Sequence, residues 1–324
     1  MRLYTFFSAF VFLVISSVAF SQQMPQYSQY LRNQFMINPA ASGVYDFTDV
    51  TLSGRMQWMG FTNAPMTTYL SVSSPLSRKI RESYNPSLRI SSGPIKKPEV
   101  NTGKLKHTGG IQLIGDQYGA FRQIQFAGSY AIHLPITKTM NLSFGTKLGL
   151  SSNTFLPDRA IVANVGLDNT YTIYTVNQGN VNRVNIGVGM YVYSKKMFFG
   201  ISADQLTKDY IEFGSGTANY DSRVHANFTG GYTISLNDDL TLTPAFLVKY
   251  MKPVMPVIEG TVQVEYKEFI WGAISYRHKD AVIAMVGINI SRRFKFGYSY
   301  DFSLSKFSTY SSGGHEFILG IMLR

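Results

Sequence analysis

The 324-residue chain contains no cysteine, so no disulfide holds it and no thiol chemistry runs on it. Charge is also scarce, with Asp, Glu, Lys and Arg making up 15% of residues, against about 25% in ordinary soluble domains. Long apolar runs are missing beyond the first twenty residues, and nothing later reaches the ~18 consecutive apolar residues of a membrane helix. What is abundant is aromatic and small: Phe 23, Tyr 21 and Gly 28, with 45% hydrophobic residues overall. Such a composition excludes a disordered chain.

Residues 1–21 read as an export signal. Arg2 supplies the positive start, residues 6–20 the apolar stretch, and Ala19 and Ser21 the small residues ahead of a cut before Gln22. The expected organisation is a signal peptide over 1–21, a lead segment over 22–47 and a β-domain over 48–324. An exported, charge-poor and aromatic-rich chain without a spanning helix is either a secreted β-sandwich or an outer-membrane barrel. Nucleic acid is not an expected partner for an exported chain, despite a formal net charge of +11.

Alternation decides between the two folds. Ile124, Phe126, Tyr130 and Ile132 alternate with Gln123, Gln125 and Ser129. Met140, Leu142, Phe144 and Leu148 oppose Asn141, Ser143 and Lys147, and Ile258, Val262, Val264 and Tyr266 oppose Glu259, Thr261, Gln263 and Glu265. Sandwich strands are usually about five or six residues long. Period-two runs of about ten residues are the mark of transmembrane strands. The pattern predicts an all-β, antiparallel transmembrane barrel of about fourteen strands, within twelve to sixteen, with both termini periplasmic. The predicted strands are 48–58, 65–74, 106–115, 121–134, 139–152, 183–193, 197–205, 222–236, 239–251, 256–266, 268–277, 280–290, 292–301 and 314–323.

Every second connection is then brief, as expected of periplasmic turns, and most of the others are longer. The stretch at about 75–105 breaks that rhythm with a basic insertion. Arg78, Lys79, Arg81, Arg89, Lys96, Lys97, Lys104 and the adjoining Lys106 stand against only Glu82 and Glu99. It is either a solvated loop or a docking surface for an acidic partner or for outer-membrane lipid headgroups, with Lys96, Lys97, Lys104 and Lys106 as the docking residues. Lys147, Arg223, Lys249, Glu259, Glu265 and Lys295 fall on the polar parity. They either form ion pairs inside a plugged barrel or line a pore.

Catalytic chemistry finds no support. His107, His133, His225, His278 and His315 show no metal-ligand spacing, there is no phosphate-binding glycine loop, and no motif joins a serine to a histidine. The expectation is a protein that is not an enzyme and needs no cofactor or metal.

One stretch is distinctive. Gln29, Tyr30, Asn33, then Asn38-Pro39-Ala40-Ala41-Ser42-Gly43, followed by Arg55, Gln57 and Trp58, resembles the PorP/SprF family, outer-membrane proteins of the type IX secretion system of Bacteroidetes. Ser74-Pro75-Leu76, Gly109-Gly110 with Asp116 and Gly119, Phe144-Gly145 and Gly200-Ile201-Ser202 extend the resemblance over the whole mature chain. It implies a role in protein secretion and gliding motility, with a periplasmic lipoprotein ring or the C-terminal region of a secreted surface adhesin as partner. On physical grounds the Asn-Pro-Ala stretch is first a structural turn, since Asn38 can cap its own backbone and Pro39 fixes φ. The competing reading makes residues 22–37 a partner-binding segment, in the lumen or at the periplasmic rim. A channel for hydrophobic or small polar solutes is the alternative function.

Overall fold

Strands that alternate apolar and polar residues can bury neither face in a single sheet surrounded by lipid. They must close on themselves so that every backbone group pairs. The computed structural model of the chain does this. It describes residues 25–76, 100, 102–162, 164, 168, 171–172, 175, 180–207, 212–213, 223–252, 254–290, 293–304, 309 and 311–323. The predicted signal peptide and most of the basic insertion, Lys96 and Lys97 included, lie outside the described residues.

Fourteen strands make the wall. They are β1 (Thr48–Met56), β2 (Met66–Pro75), β3 (Lys106–Tyr118), β4 (Phe121–Thr137), β5 (Met140–Phe155), β6 (Asn180–Ser194) and β7 (Met197–Asp204). The second half comprises β8 (His225–Tyr232, resuming at Ile234–Ser235), β9 (Leu240–Met251), β10 (Val257–Tyr266), β11 (Ile270–Arg277), β12 (Ala281–Ile290), β13 (Phe294–Ser303) and β14 (Gly314–Leu323). Each pairs antiparallel with its neighbours in the chain, and a two-residue strand, Glu212–Phe213, pairs beside β6. The sheet closes where β1 meets β14, from Thr48 opposite Leu323 to Met56 opposite His315.

The parity follows the sequence pattern. Leu70, Leu113, Phe126, Leu148, Val262, Ile274 and Leu319 face outward and are exposed. Thr51, Ser53, Ser71, Gln112, Ser143, Thr261, Ser275 and Ser299 face inward and are buried. This is the inverse of a water-soluble domain, and it suits a wall whose outside is hydrocarbon.

The connections at one end are brief: residues 138–139, 195–196, 236–239, 267–269 and 291–293, with the basic insertion as the exception. Those at the other end include the longer 57–65, 156–179, 205–224 and 304–313. The two-residue turn at 119–120 also lies at that end, and it is short because β3 runs on to Tyr118, three residues further than the alternation alone implied.

The core is the lumen. Tyr27, Tyr30, Met36 and Ile37 of the segment before β1 pack on Tyr69, Ile114 and Leu247, which project inward from β2, β3 and β9. A second cluster joins Ala40 and Ala41 to Tyr191 and Tyr193 of β6.

Candidate functional site: the lumen segment and the mouth above it

Residues 25–47 fold into the barrel as three single-turn 3-10 helices, Tyr30–Arg32, Gln34–Met36 and Pro39–Ala41. Short turns of this kind leave many backbone groups unpaired within the segment, so the wall must supply partners. The Asn-Pro-Ala stretch shows how. The Asn38 side-chain carbonyl accepts from the Ala40 N–H at 2.9 Å, capping a turn that Pro39 begins at its first position. The other end of the same amide donates to the carbonyls of Met190 at 3.0 Å and Ile201 at 3.1 Å, residues that face each other across β6 and β7. One side chain therefore both caps the turn and fastens it to two strands.

That fastening needs a wall without side chains. A Cβ on Gly189 would land on the Asn38 carbonyl oxygen, and one on Gly145 would land on the Ala40 nitrogen. At Gly200 it would come within 2.8 Å of the Asn38 amide nitrogen. Gly145 and Gly189 stand opposite each other on β5 and β6, so the three glycines form one seat. On β3, Gly110 does the same for the Phe35 ring, and on β13 Gly297 makes room for the Gln29 side chain. The carbonyl of Ile37 accepts from Ser202 Oγ at 2.6 Å and from Asn227 at 3.2 Å. Gly43 takes a left-handed φ of +63° against Thr108, which a larger residue would strain.

The earlier part of the segment is held by charge. The Ser28 N–H donates to Glu316 at 2.7 Å and its hydroxyl to Asp301 at 2.9 Å. Arg55 donates to Glu316 at 3.1 Å, to Asp301 at 2.7 Å and to the Ser28 oxygen at 2.5 Å. Arg277 bonds Glu259 at 2.8 Å, Asp301 at 3.4 Å and Ser28 at 3.3 Å. All of these groups are buried. Lys249 adds a third cation nearby, with its ammonium over the Tyr27 ring and 3.4 Å from the Pro25 carbonyl. Arg32 pairs with Glu265 at 3.3 Å and stacks on Trp271, while the Tyr30 hydroxyl donates to Thr261.

The charges expected inside the lumen are mostly there, and apart from Lys249 they are paired with opposite charges. Lys147 meets Asp204 at 2.8 Å and Lys295 meets Asp49 at 2.7 Å. Arg223 departs from this: it precedes β8 and donates to the Lys252 carbonyl. Lys106 departs from the docking role read for it. It is buried on β3, and its ammonium holds the carbonyls of Gly43 at 3.0 Å and Val44 at 3.1 Å. The cause is parity, since Lys106 begins the inward-facing row of β3. Lys104, two residues earlier, is exposed.

Of the motif residues, Gln29, Tyr30, Asn38, Pro39, Ala40 and Gly43 belong to the lumen segment. Arg55 lies below the mouth, and Gln57 and Trp58 lie at the mouth itself. Gln57 starts the β1–β2 connection by donating its N–H to the Pro65 carbonyl at 2.9 Å. Above Arg55 is a cavity of about 430 Å³ bordered by Gln26, Gln57, Trp58, Met255, Ile258 and Arg277. Because Gln26 is here and Leu323 pairs with Thr48 at the far end, the first and last described stretches lie at opposite mouths. Ser28, Asp301 and Glu316 were missed as site residues. For Asp301 and Glu316 the available signal is a carboxylate on the polar parity of an otherwise aromatic or aliphatic strand; for Ser28 there is no local signal.

Solved structures of similar architecture include outer-membrane barrels. The toluene transporter TbuX of Ralstonia pickettii is similar at a TM-score of 0.50 and 12% identity, over 90% of this chain and 92% of that one. The Pseudomonas putida toluene transporter TodX (TM-score 0.45, 9% identity, 90% and 92% covered) and the Acinetobacter baumannii outer membrane protein Omp33 (0.47, 7%, 87% and 100%) are similar as well. No curated protein matches the chain. At these identities the solved structures speak for the fold alone, which is that of an outer-membrane β-barrel. The sequence carries the identity: residues 19–321 match the type IX secretion system membrane protein family PorP/SprF, and the chain belongs to it.

Proposed function

We propose that this barrel acts as a non-enzymatic binding and positioning body of the type IX machinery, engaging a secreted surface adhesin or the periplasmic ring in secretion and gliding. The observation that carries this is the lumen segment itself. Residues 25–47 fill much of the barrel and are fastened to both halves of its wall, with cavities left on either side of them among the described residues. A body of this kind contributes surfaces. The end that carries the brief turns is the proposed periplasmic end, and exposed Lys104 stands there; Lys96 and Lys97 of the same basic stretch of sequence are proposed as docking cations with it.

Deleting the gene tests the reading. The expected result is loss of an adhesin from the cell surface, or periplasmic build-up of a secretion substrate, with solute uptake unchanged. Reversing Lys96, Lys97 and Lys104 to Glu is expected to lower recovery of the periplasmic ring in co-purification while leaving the barrel intact.

A solute channel is the second reading, favoured by the toluene transport of TbuX. The lumen chemistry argues against it here. A hydrocarbon crossing this barrel would have to displace Ser28, Asn38 and Lys106 from buried hydrogen bonds, and a buried polar group stripped of its partner costs about 1–3 kcal/mol. Unchanged secretion with altered solute uptake in the deletion strain would establish the channel instead.

A further inference from the structure

The rim that carries the brief turns is unevenly charged. On the β3–β7 side stand Lys104 before β3, Lys138 in the β4–β5 turn, and Lys195 and Lys196 in the β6–β7 turn, all of them exposed and with no carboxylate on those turns. Both turns are braced by side chains. The Thr102 hydroxyl donates to the Lys138 carbonyl at 3.3 Å, and Gly103, at a left-handed φ of +78°, lies so close that a Cβ there would come within 2.6 Å of the same oxygen. The Ser194 hydroxyl oxygen accepts from the N–H groups of Lys196 at 3.1 Å and Met197 at 3.0 Å. Met140 stands opposite Ser194, so the two turns are neighbours on the rim. Further round, the β8–β9 and β10–β11 turns carry Asp238, Asp239 and Glu268 against Lys267, which pairs with Asp239 at 3.5 Å. The turns at Lys138 and Glu268 are six strands apart. That is about 29 Å along the wall at ~4.8 Å per strand, well beyond the ~8 Å over which salt screens a charge.

The apolar wall does not differ in this way. Leu134 and Ile136 lead up to Lys138 and Phe199 follows Lys196, while Leu236, Phe269 and Ile270 border the acidic turns; all six are exposed. Hydrocarbon therefore meets both arcs alike, and the charge at the edge of the apolar band is what tells them apart. We propose that the β3–β7 arc is a binding surface for anionic phospholipid headgroups, with Lys138, Lys195 and Lys196 as its cations beside Lys104. Ammoniums clustered at the membrane surface draw the phosphate, and the acyl chains of the same lipid lie along Ile136 and Leu134. Lysine suits the task, because its stem rests on apolar surface while its head reaches the wet layer. An acidic protein would meet the same ammoniums but gain nothing from that apolar row, which hydrocarbon covers. The acidic arc repels the headgroups that the basic arc gathers, so the lipid shell is sorted by charge around the barrel. Assigning this leaflet to the periplasmic side rests on the orientation proposed above; the preference itself does not.

Native cysteine is absent, so each arc can carry its own reporter. Ile136→Cys and Ile270→Cys, made separately in the full chain and labelled with bimane, place a fluorophore beneath the basic and the acidic turns. Each protein is reconstituted in phosphatidylcholine vesicles, and the probe is nitroxide-labelled phosphatidylglycerol, compared with nitroxide-labelled phosphatidylcholine at equal mole fraction. The expected result at position 136 is quenching at least three-fold stronger with the anionic lipid, and at position 270 no preference for it. Lys138→Gln, Lys195→Gln and Lys196→Gln together should at least halve the preference at position 136, while the unboiled protein still migrates as a folded barrel. Asp238→Lys, Asp239→Lys and Glu268→Lys together should create a preference at position 270. Equal ratios at the two reporters, or an unchanged ratio in the folded lysine variant, would overturn the assignment. So would displacement of the labelled phosphatidylglycerol by a polyglutamate peptide, which would give the surface to an acidic protein.

Discussion

The two halves of the lumen segment are held by opposite chemistry. Residues 25–33 lean on β1 and β10–β14 through a buried cluster of ions and hydroxyls around Ser28 and Arg32. Residues 34–44 sit mainly on β3 and β5–β8, where glycines clear the wall and neutral amides and hydroxyls make most of the bonds, the Lys106 ammonium at Gly43 and Val44 being the exception. An ion cluster tolerates small displacements but not the loss of a member, because the remaining charges stay buried and unpaired. A glycine seat tolerates loss of one hydrogen bond but not added volume, because two backbones are already in contact. The comparison says that one half is specified by electrostatic balance and the other by shape.

Breaking the balance is expected to have the largest effect. Arg277→Ala leaves Glu259 and Asp301 short of a partner and should cost about 3–5 kcal/mol, read as a lower temperature for loss of heat-modifiable gel migration. Adding Glu259→Gln should restore part of it, since the two members belong to one network. Next comes the seat. Gly189→Val pushes a side chain into Asn38 and should cost about 1–3 kcal/mol; because the first half remains latched, proteolysis should open residues 34–44 selectively. Equal opening of both halves would show that they release together and would dissolve the distinction. Asn38→Ala leaves the seat empty and removes the cap, a loss of about 0.5–2 kcal/mol from the cap alone. Lys104→Glu touches neither half and should stay within about 0.5 kcal/mol of the parent, so any effect on partner recovery reports the surface alone.

A cross-link sharpens the same contrast. Ser42 Oγ and Thr108 Oγ1 are 2.8 Å apart, close enough for a cysteine pair at those positions to meet the usual Cβ separation of about 3.5–4.5 Å. Oxidation should pin the second half to β3 and leave the first half as releasable as before, measured by proteolysis of the oxidised and reduced forms.

Much of the wall was legible in the chain. Period-two alternation located the strands and their outward rows, because in lipid the parity of a strand is its whole environment. Motif residues were legible as a group, but their tasks were not. Lys106 reads as one more cation of a basic stretch until the register of β3 turns it inward. Gly145, Gly189 and Gly200 read as ordinary strand glycines until the Asn-Pro-Ala turn is placed against them, since nothing local marks a glycine that clears space for a residue a hundred positions away.

By itself, then, the sequence determined that this chain is an outward-apolar, inward-polar closed sheet, because burial in hydrocarbon is imposed residue by residue along each strand. It also carried the family signature. Only the tertiary structure decided that residues 25–47 return through the lumen, which charges pair there, and that Gln57 and Trp58 border a cavity while Asn38 anchors a turn. Those outcomes depend on barrel closure, which brings β1 beside β14 and sets Ser28 between Arg55, Arg277, Asp301 and Glu316, a juxtaposition no local pattern encodes.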